Sequence, residues 1–190
     1  MKDNNEITVK VLCSKEELAA LLEGYGFDMK KSFVLDDTYF IPEEIDYRME
    51  KSRDVIARAI ILRKITSTNM SDSEKKMVFK KKKFNEDGEI LEQKAYEMHI
   101  DSTLEALTFL KGLGYTQCMR IFEEDLIFSN GIMEIAIKAI RDGDLLIEVE
   151  TNSLLRTIEE IKKALDEYSL PLDESNYFVK KAEIELNKLK

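Results

Sequence analysis

The sequence predicts an α+β fold, in which an antiparallel, barrel-like sheet of about eight strands carries flanking helices and two similar halves. Short segments that alternate apolar and charged residues recur along the 190 residues, which is typical of strands with two different faces. A repeated segment occurs once in each half, and several stretches space their apolar residues as helices do. We therefore expect a single domain over residues 1–190, with pseudo-duplicated halves at about 1–90 and 91–190.

The internal repeat pairs residues 14–27 ("SKEELAALLEGYGF") with residues 102–115 ("STLEALTFLKGLGY"). Each segment opens with Ser and places Glu three positions later, which is the pattern of a capping box at a helix start. Each ends in Gly-x-Gly before an aromatic residue, as expected where a helix stops in left-handed backbone. The pattern favours a duplicated strand–helix–hairpin unit over two unrelated helices with similar ends.

The remaining elements follow from alternation and from helical spacing. Eight strands are predicted, at residues 6–10, 35–41, 57–65, 75–84, 92–100, 117–128, 131–140 and 145–151. A third helix is predicted at about residues 153–168, because its leucines and isoleucines form one stripe and Pro171 follows its end. A final amphipathic helix is predicted at about residues 173–189.

In each predicted strand, one set of alternate residues is apolar and the other set is charged. In "EITVK", at residues 6–10, Ile7 and Val9 alternate with Glu6, Thr8 and Lys10. An ordinary antiparallel sheet turns such a charged face to water. If the amphipathic helices instead cover the apolar face, closure of the sheet would direct the charges inward. Buried charges need partners, so an interior with acids and bases would suit a polyanion held with a metal ion.

Composition and charge argue against several classes of function. A net charge of −9 argues against a general binder of nucleic acid or of anionic membranes. The run of lysines at residues 80–83 could form a nucleic-acid patch, but on a strand its members alternate between faces. One His and two distant Cys provide no zinc-type cluster and no His-based triad. No apolar run reaches the roughly 18 residues that cross a bilayer, and no signal-peptide pattern is visible, so we expect a cytoplasmic protein.

Several charged positions occur in the order of a known family. Glu6 and Lys10 form Glu-x-x-x-Lys, residues 37–40 read Asp-x-Tyr-Phe, and Glu148 and Glu150 form a closing Glu-x-Glu. This ordered set resembles the CYTH domain, the triphosphate tunnel metalloenzyme family, whose members include class IV adenylate cyclases, thiamine triphosphatases and inorganic triphosphatases. The resemblance implies an eight-stranded tunnel that binds a small-molecule polyphosphate or a nucleotide with Mg²⁺ or Mn²⁺. A homodimer is compatible with sheets of this kind.

The resemblance also implies roles for residues of the charged face, although it leaves the catalytic residues unknown. The metal-binding candidates are Glu6, Glu148 and Glu150. The triphosphate-binding candidates are Lys10, Arg63, Lys80, Lys82, Arg120 and Lys138. Other positions expected to line the tunnel are Thr8, Tyr39, Glu97 and Glu134.

The chain departs from the family pattern at several of these positions. Thr8 replaces the second Glu of the signature, and Ile61 and Cys118 stand where bases are expected. Lys138 and Ala95 stand where acids are expected. Two interpretations stay open: a metal-dependent triphosphate hydrolase or adenylate cyclase, or a degenerate tunnel that binds an anionic ligand or a partner without turnover. Lys138 could also supply the positive charge that is lost at Ile61 and Cys118.

Overall fold

The computed structural model describes residues 6–68, 73–84 and 90–190. Its strands are β1 (Glu6–Lys10), β2 (Asp28–Pro42), β3 (Ile60–Ser67), β4 (Ser73–Phe84), β5 (Ile90–His99), β6 (Tyr115–Ser129), β7 (Glu134–Ile140) and β8 (Leu145–Glu150). Its helices are α1 (Lys15–Gly24), α2 (Ser52–Ala57), α3 (Thr103–Gly112), α4 (Ile158–Asp166) and α5 (Lys181–Asn187). None of these described helices is both long and apolar enough to cross a membrane.

The strands form one eight-stranded antiparallel sheet with flanking helices, which confirms the predicted fold class. The hydrogen-bonded order is β1-β8-β7-β6-β2-β3-β4-β5. Over the described residues the order of strands starts at β1 and stops at β5, so the sheet is open.

The chain divides into two compact units. The first takes its described residues from Met1–Val34, Ser67–Asn69 and Glu123–Lys180. The second takes its described residues from Leu35–Thr66, Met70–Phe122 and Lys181–Lys190. Each unit therefore draws on both halves of the sequence, and the duplication of residues 1–90 as 91–190 stays a prediction.

The core of the first unit lies between α1, α4 and one face of β1, β7 and β8. Alternate strand residues supply one side of this core, as the pattern of the sequence predicts. Leucines and isoleucines at helical spacing supply the other side. The buried residues include Ile7, Val9, Leu18, Leu22, Phe27, Ile135, Ile137, Ile147, Val149, Ile161 and Leu165.

In the second unit, α3 covers part of the sheet. Ala106 and Leu110 of α3 pack against Phe40 of β2 and Leu62 of β3. The opposite face of the same strands is also partly apolar, since it includes Leu35, Tyr39, Ile61 and Val78, all buried. The strict division into an apolar and a charged face therefore holds less well in this unit than in the first.

Both copies of the internal repeat form the predicted helix and the strand after it. Each helix has ten residues and each following strand has fifteen. Ser14 and Glu17 form a complete capping box, whereas Ser102 only accepts a hydrogen bond from the backbone N–H of Glu105. Gly26 and Gly114 adopt φ angles of 83° and 76°, the left-handed backbone that the Gly-x-Gly pattern predicts.

The helices near the end of the sequence differ from the predictions. The helix predicted from residue 153 starts only at Ile158. The side-chain oxygen of Asn152 accepts hydrogen bonds from the backbone N–H groups of Leu154 and Leu155, which forms a turn before the helix. Thr157 then caps the helix. The helix predicted from residue 173 starts only at Lys181. Residues 172–179 instead run along β1, and α2 was not predicted because it has only six residues.

The segment 172–179 takes up hydrogen-bonding groups on the outer side of β1. The N–H of Thr8 donates to the carbonyl of Tyr177, and the N–H of Val179 donates to the carbonyl of Thr8. The N–H of Asp173 donates to the carbonyl of Lys10. These bonds compete with a helix for the same backbone groups, and apolar spacing alone does not reveal them.

Candidate functional site

In the first unit, the charged residues of β1 and β8 share the sheet face opposite the core. Strand register places Glu6 opposite Glu150 and Thr8 opposite Glu148. Ile7 and Val149, the residues between them, are buried on the core face. The predicted separation of the two faces is therefore correct for this strand pair.

The three acids predicted to bind a metal come together on this face. One carboxylate oxygen from each of Glu6, Glu148 and Glu150 lies within 4.8 Å of the other two. Glu148 is half-buried, whereas Glu6 and Glu150 are exposed. Three carboxylate oxygens this close together are suitable ligands for a hard divalent cation such as Mg²⁺ or Mn²⁺. We refer to these three residues as the acidic triad.

Lys138 lies on β7 next to the acidic triad and is itself surrounded by acids. Its ammonium nitrogen is 3.3 Å from an oxygen of Glu148 and 3.6 Å from an oxygen of Asp125. Burial alone would lower the pKa of Lys138, but the charges of Glu148, Asp125 and Glu123 outweigh that effect and raise the pKa. Lys138 is therefore a charged ammonium at neutral pH.

Lys10, the basic end of the N-terminal signature, already has a carboxylate partner. Its ammonium nitrogen lies 2.5 Å from an oxygen of Asp144, which precedes β8. The hydrogen bond to Asp144 and its charge raise the pKa of Lys10. Glu134, which the resemblance places in the tunnel, is an exposed residue at the start of β7.

In the second unit, Arg63 forms a bidentate ion pair with a buried acid. Its Nε donates to one oxygen of Asp37 at 2.7 Å, and a terminal nitrogen donates to the other at 2.6 Å. The Arg63 side chain is 19% exposed and that of Asp37 only 2%. Tyr39, two residues after Asp37 on the same strand face, is buried as well. The guanidinium of Arg63 is thus already bound by a carboxylate of the protein.

Lys80 shares a sheet face with Arg63, as alternation predicts. The register pairs Ile61 with Val78 and Arg63 with Lys76, which places Lys80 on the same face of β4. Lys81 points to the other face, where it is exposed and lies opposite Lys94. The side chain of Lys82 lies outside the described part of the structure.

Glu97, predicted to line the tunnel, is an exposed residue of the edge strand β5. Lys76 reaches two acids, with its ammonium nitrogen 3.3 Å from Glu97 and 3.1 Å from Glu74. Glu97 is therefore engaged in a surface ion pair, of a kind that contributes little to stability.

Arg120 lies on the other face of the sheet. It forms two hydrogen bonds of 2.6 Å with the carboxylate of Asp36, and its side chain is 59% exposed. On β2, Asp36 and Phe40 share the face that packs on α3, whereas Asp37 lies on the opposite face with Arg63. Arg120 is therefore separated by the sheet from Arg63.

The sequence prediction missed the acids that pair with these bases. They are Asp36, Asp37, Glu123, Asp125 and Asp144. Alternation assigns each acid to a strand face, but the choice of partner depends on register, which a single sequence does not specify.

Solved structures share this fold, although no protein-family model matches the sequence and no curated protein matches it. The PH1819 protein of Pyrococcus horikoshii OT3 has a TM-score of 0.71 at 15% identity, over 97% of this chain and 99% of its own. A candidate adenylyl cyclase from Hippeastrum, described as having a dominant triphosphatase activity, has a TM-score of 0.63 at 13% identity, over 98% and 97%.

A third similar structure comes from a bacterium. A candidate adenylate cyclase of Vibrio parahaemolyticus has a TM-score of 0.61 at 13% identity, over 95% of this chain and 97% of its own. At such low identities these likenesses show the fold alone. The chain therefore shares its fold with these three proteins, which is consistent with the sequence resemblance.

Proposed function

We propose that the protein binds a triphosphate or a nucleotide together with a divalent cation. The acidic triad carries the proposal, because it brings one carboxylate oxygen from each of three residues within 4.8 Å of the other two, and hard divalent cations bind such oxygen ligands. Glu6, Glu148 and Glu150 would hold Mg²⁺ or Mn²⁺, which supplies positive charge for the oxygens of a phosphate chain. The Hippeastrum and Vibrio neighbours make ATP and other triphosphates the ligands to test first.

If the protein is an enzyme, two reactions suit this ligand. Water could attack a phosphate in a hydrolysis, or the ribose 3′-hydroxyl could attack the α-phosphate of ATP in a cyclisation. In both reactions the residues of this chain would hold the cation and orient the phosphates. The cytoplasmic location predicted from the sequence also stays a prediction.

The second candidate is a protein that binds an anionic ligand without turnover, because fewer bases remain to stabilise the charge that a reacting phosphate develops. Four of the six predicted phosphate-binding bases, Lys10, Arg63, Arg120 and Lys138, already pair with carboxylates. A phosphate oxygen would have to replace those carboxylates, which lowers the net gain of each new bond. Ile61, where the family has a base, is buried and contributes no charge.

Calorimetric titration with Mn²⁺ tests the proposed metal site. We expect Glu150→Gln to weaken Mn²⁺ binding about tenfold or more, because the neutral amide removes one charged ligand. Glu16→Gln is the matched control, since Glu16 is an exposed acid of α1 outside the triad. Equal affinities of the wild type and Glu150→Gln would exclude the triad as the site.

A substrate panel then separates the enzyme from the binding protein. Tripolyphosphate, ATP, thiamine triphosphate and RNA 5′-triphosphate are incubated with Mg²⁺ or Mn²⁺, and released phosphate and cyclic AMP are measured. Turnover that is lost in Glu150→Gln and retained in Glu16→Gln supports the enzyme. Saturable binding of a triphosphate without product supports the binding protein.

A further inference from the structure

Lys138 lies in a second group of acids, next to the acidic triad. Asp125 of β6 lies directly opposite Lys138 of β7. Glu123 lies on the same face of β6, two residues before Asp125. Glu148 approaches from β8, at 3.3 Å from the ammonium nitrogen. We refer to Glu123, Asp125 and Glu148 as the acid pocket.

Two members of the acid pocket are deeply buried. Glu123 and Asp125 are only 1% and 2% exposed, so water screens their charges poorly. Carboxylates at this depth are stable only where positive charge or hydrogen-bond donors offset the loss of water. The chain supplies the positive charge itself, because residue 138 is a lysine whose side chain is only 13% exposed.

Glu148 belongs to both groups of acids. Its carboxylate contacts the Lys138 ammonium and also has an oxygen within 4.8 Å of oxygens of Glu6 and Glu150. An ammonium this close neutralises part of the negative charge that would attract a divalent ion. Lys138 and a metal ion in the acidic triad therefore draw on the same carboxylate.

We propose that Lys138 is a resident cation of the acid pocket, where it takes the place of a divalent ion and competes with the acidic triad for Glu148. This inference rests on the metal site proposed above, and it identifies Lys138 as the residue that limits the affinity of that site for a divalent ion. Because the ammonium is part of the chain, the acid pocket keeps its balancing positive charge when metal is removed. The acidic triad then binds a metal ion more weakly than it would without Lys138.

The test is a calorimetric Mn²⁺ titration of Lys138 variants. We expect Lys138→Met to bind Mn²⁺ about tenfold more tightly than the wild type or better, because Glu148 is released. Lys138→Arg keeps the charge and should bind Mn²⁺ as the wild type does. The melting temperature of Lys138→Met should fall in EDTA and should rise more with Mn²⁺ than that of the wild type.

A second variant keeps the test decisive if Lys138→Met does not fold. The double variant Lys138→Met/Asp125→Asn removes one base and one acid, so the net charge of the acid pocket stays as in the wild type. It should still bind Mn²⁺ more tightly, because its Glu148 lacks the ammonium. A gain in this variant therefore reflects lost competition and not a general increase in negative charge.

The outcomes distinguish this inference from the metal site on which it rests. If Glu150→Gln weakens Mn²⁺ binding but neither Lys138→Met nor the double variant strengthens it, Lys138 does not compete and the inference is wrong. If the wild type and all variants fail to bind Mn²⁺, both the metal site and the competition are refuted. Tighter binding in the double variant, with no gain in Lys138→Arg, supports the inference.

Discussion

Thr8 occupies the central position of β1, directly opposite Glu148 and on the same face as Glu6. Its hydroxyl is a neutral ligand, where the family that the sequence resembles has a carboxylate. A carboxylate at this position would lie beside Glu6 on β1 and opposite Glu148 on β8, and hard cations prefer charged oxygen ligands. The position of residue 8 therefore bears directly on metal affinity.

We expect Thr8→Glu to strengthen Mn²⁺ binding by about tenfold, measured by calorimetry. The hydrogen bonds of residue 8 to Tyr177 and Val179 use the backbone, so the substitution leaves them in place. Thr8→Gln is the control of equal size without the charge. An unchanged affinity in Thr8→Glu would show that residue 8 lies outside the metal site.

The family resemblance named the three members of the acidic triad, and the register of β1 with β8 brings them together on one face. The sequence did not reveal that Arg63 is paired with Asp37, because that contact depends on the register of β2 and β3. It also did not reveal that Arg120 of β6 pairs with Asp36 on the opposite face. Residue types and strand faces could be predicted from the sequence, but cross-strand partners could not.

At the scale of single elements, strands were predicted better than helices. Each of the eight predicted strands overlaps a strand of the structure, because the alternation that predicts them depends only on neighbouring residues. The helix predicted from residue 173 failed because residues 172–179 bond to β1, which lies far away in sequence. Apolar spacing cannot distinguish a helix from a segment whose backbone groups are taken up by a strand.

Alternation along β4 leads to a prediction about ligand binding. Tripolyphosphate should raise the melting temperature of the protein even in EDTA, because a ligand that binds only the folded state stabilises it. Lys80→Ala should reduce this shift, since Lys80 shares a face with Arg63. Lys81→Ala should leave it unchanged, since Lys81 lies on the other face.

Differential scanning fluorimetry at millimolar tripolyphosphate measures both shifts. The absence of any shift in the wild type would mean that the bases of this face do not bind polyphosphate. Equal losses in Lys80→Ala and Lys81→Ala would indicate general attraction to lysines and not a site on one strand face.

For the molecule as a whole, β2 and β6 are the two long strands that the unit boundary divides, whereas β3 crosses it only at its last residue, Ser67. Each long strand has fifteen residues, and the unit boundary falls within each of them, after Val34 and after Phe122. A continuous hydrogen-bonded strand cannot unfold in one unit without loss of pairing at the boundary. The open sheet was harder to predict, because alternation indicates which face each side chain occupies but not whether the first and last strands pair to close a barrel.

We therefore expect one cooperative unfolding transition. Ile137→Ala in the first unit and Leu110→Ala in the second each remove a fully buried side chain, at a cost of about 2–5 kcal/mol. Both should lower the same melting temperature, by roughly 2–4 °C for each kcal/mol lost in a chain of this size. Calorimetry that resolves two transitions, each shifted by one substitution only, would show that the units unfold independently.

The hydrogen bonds of β1 impose an order of events during synthesis. β1 bonds with β8 on one side and with residues 172–179 on the other, and both partners come much later in the sequence. At about 5–20 residues per second, β1 waits on the order of ten seconds after translation before either partner leaves the ribosome. A ribosome that stalls before β8 would leave Ile7 and Val9 on an unpaired strand, where the nascent chain is most exposed to aggregation.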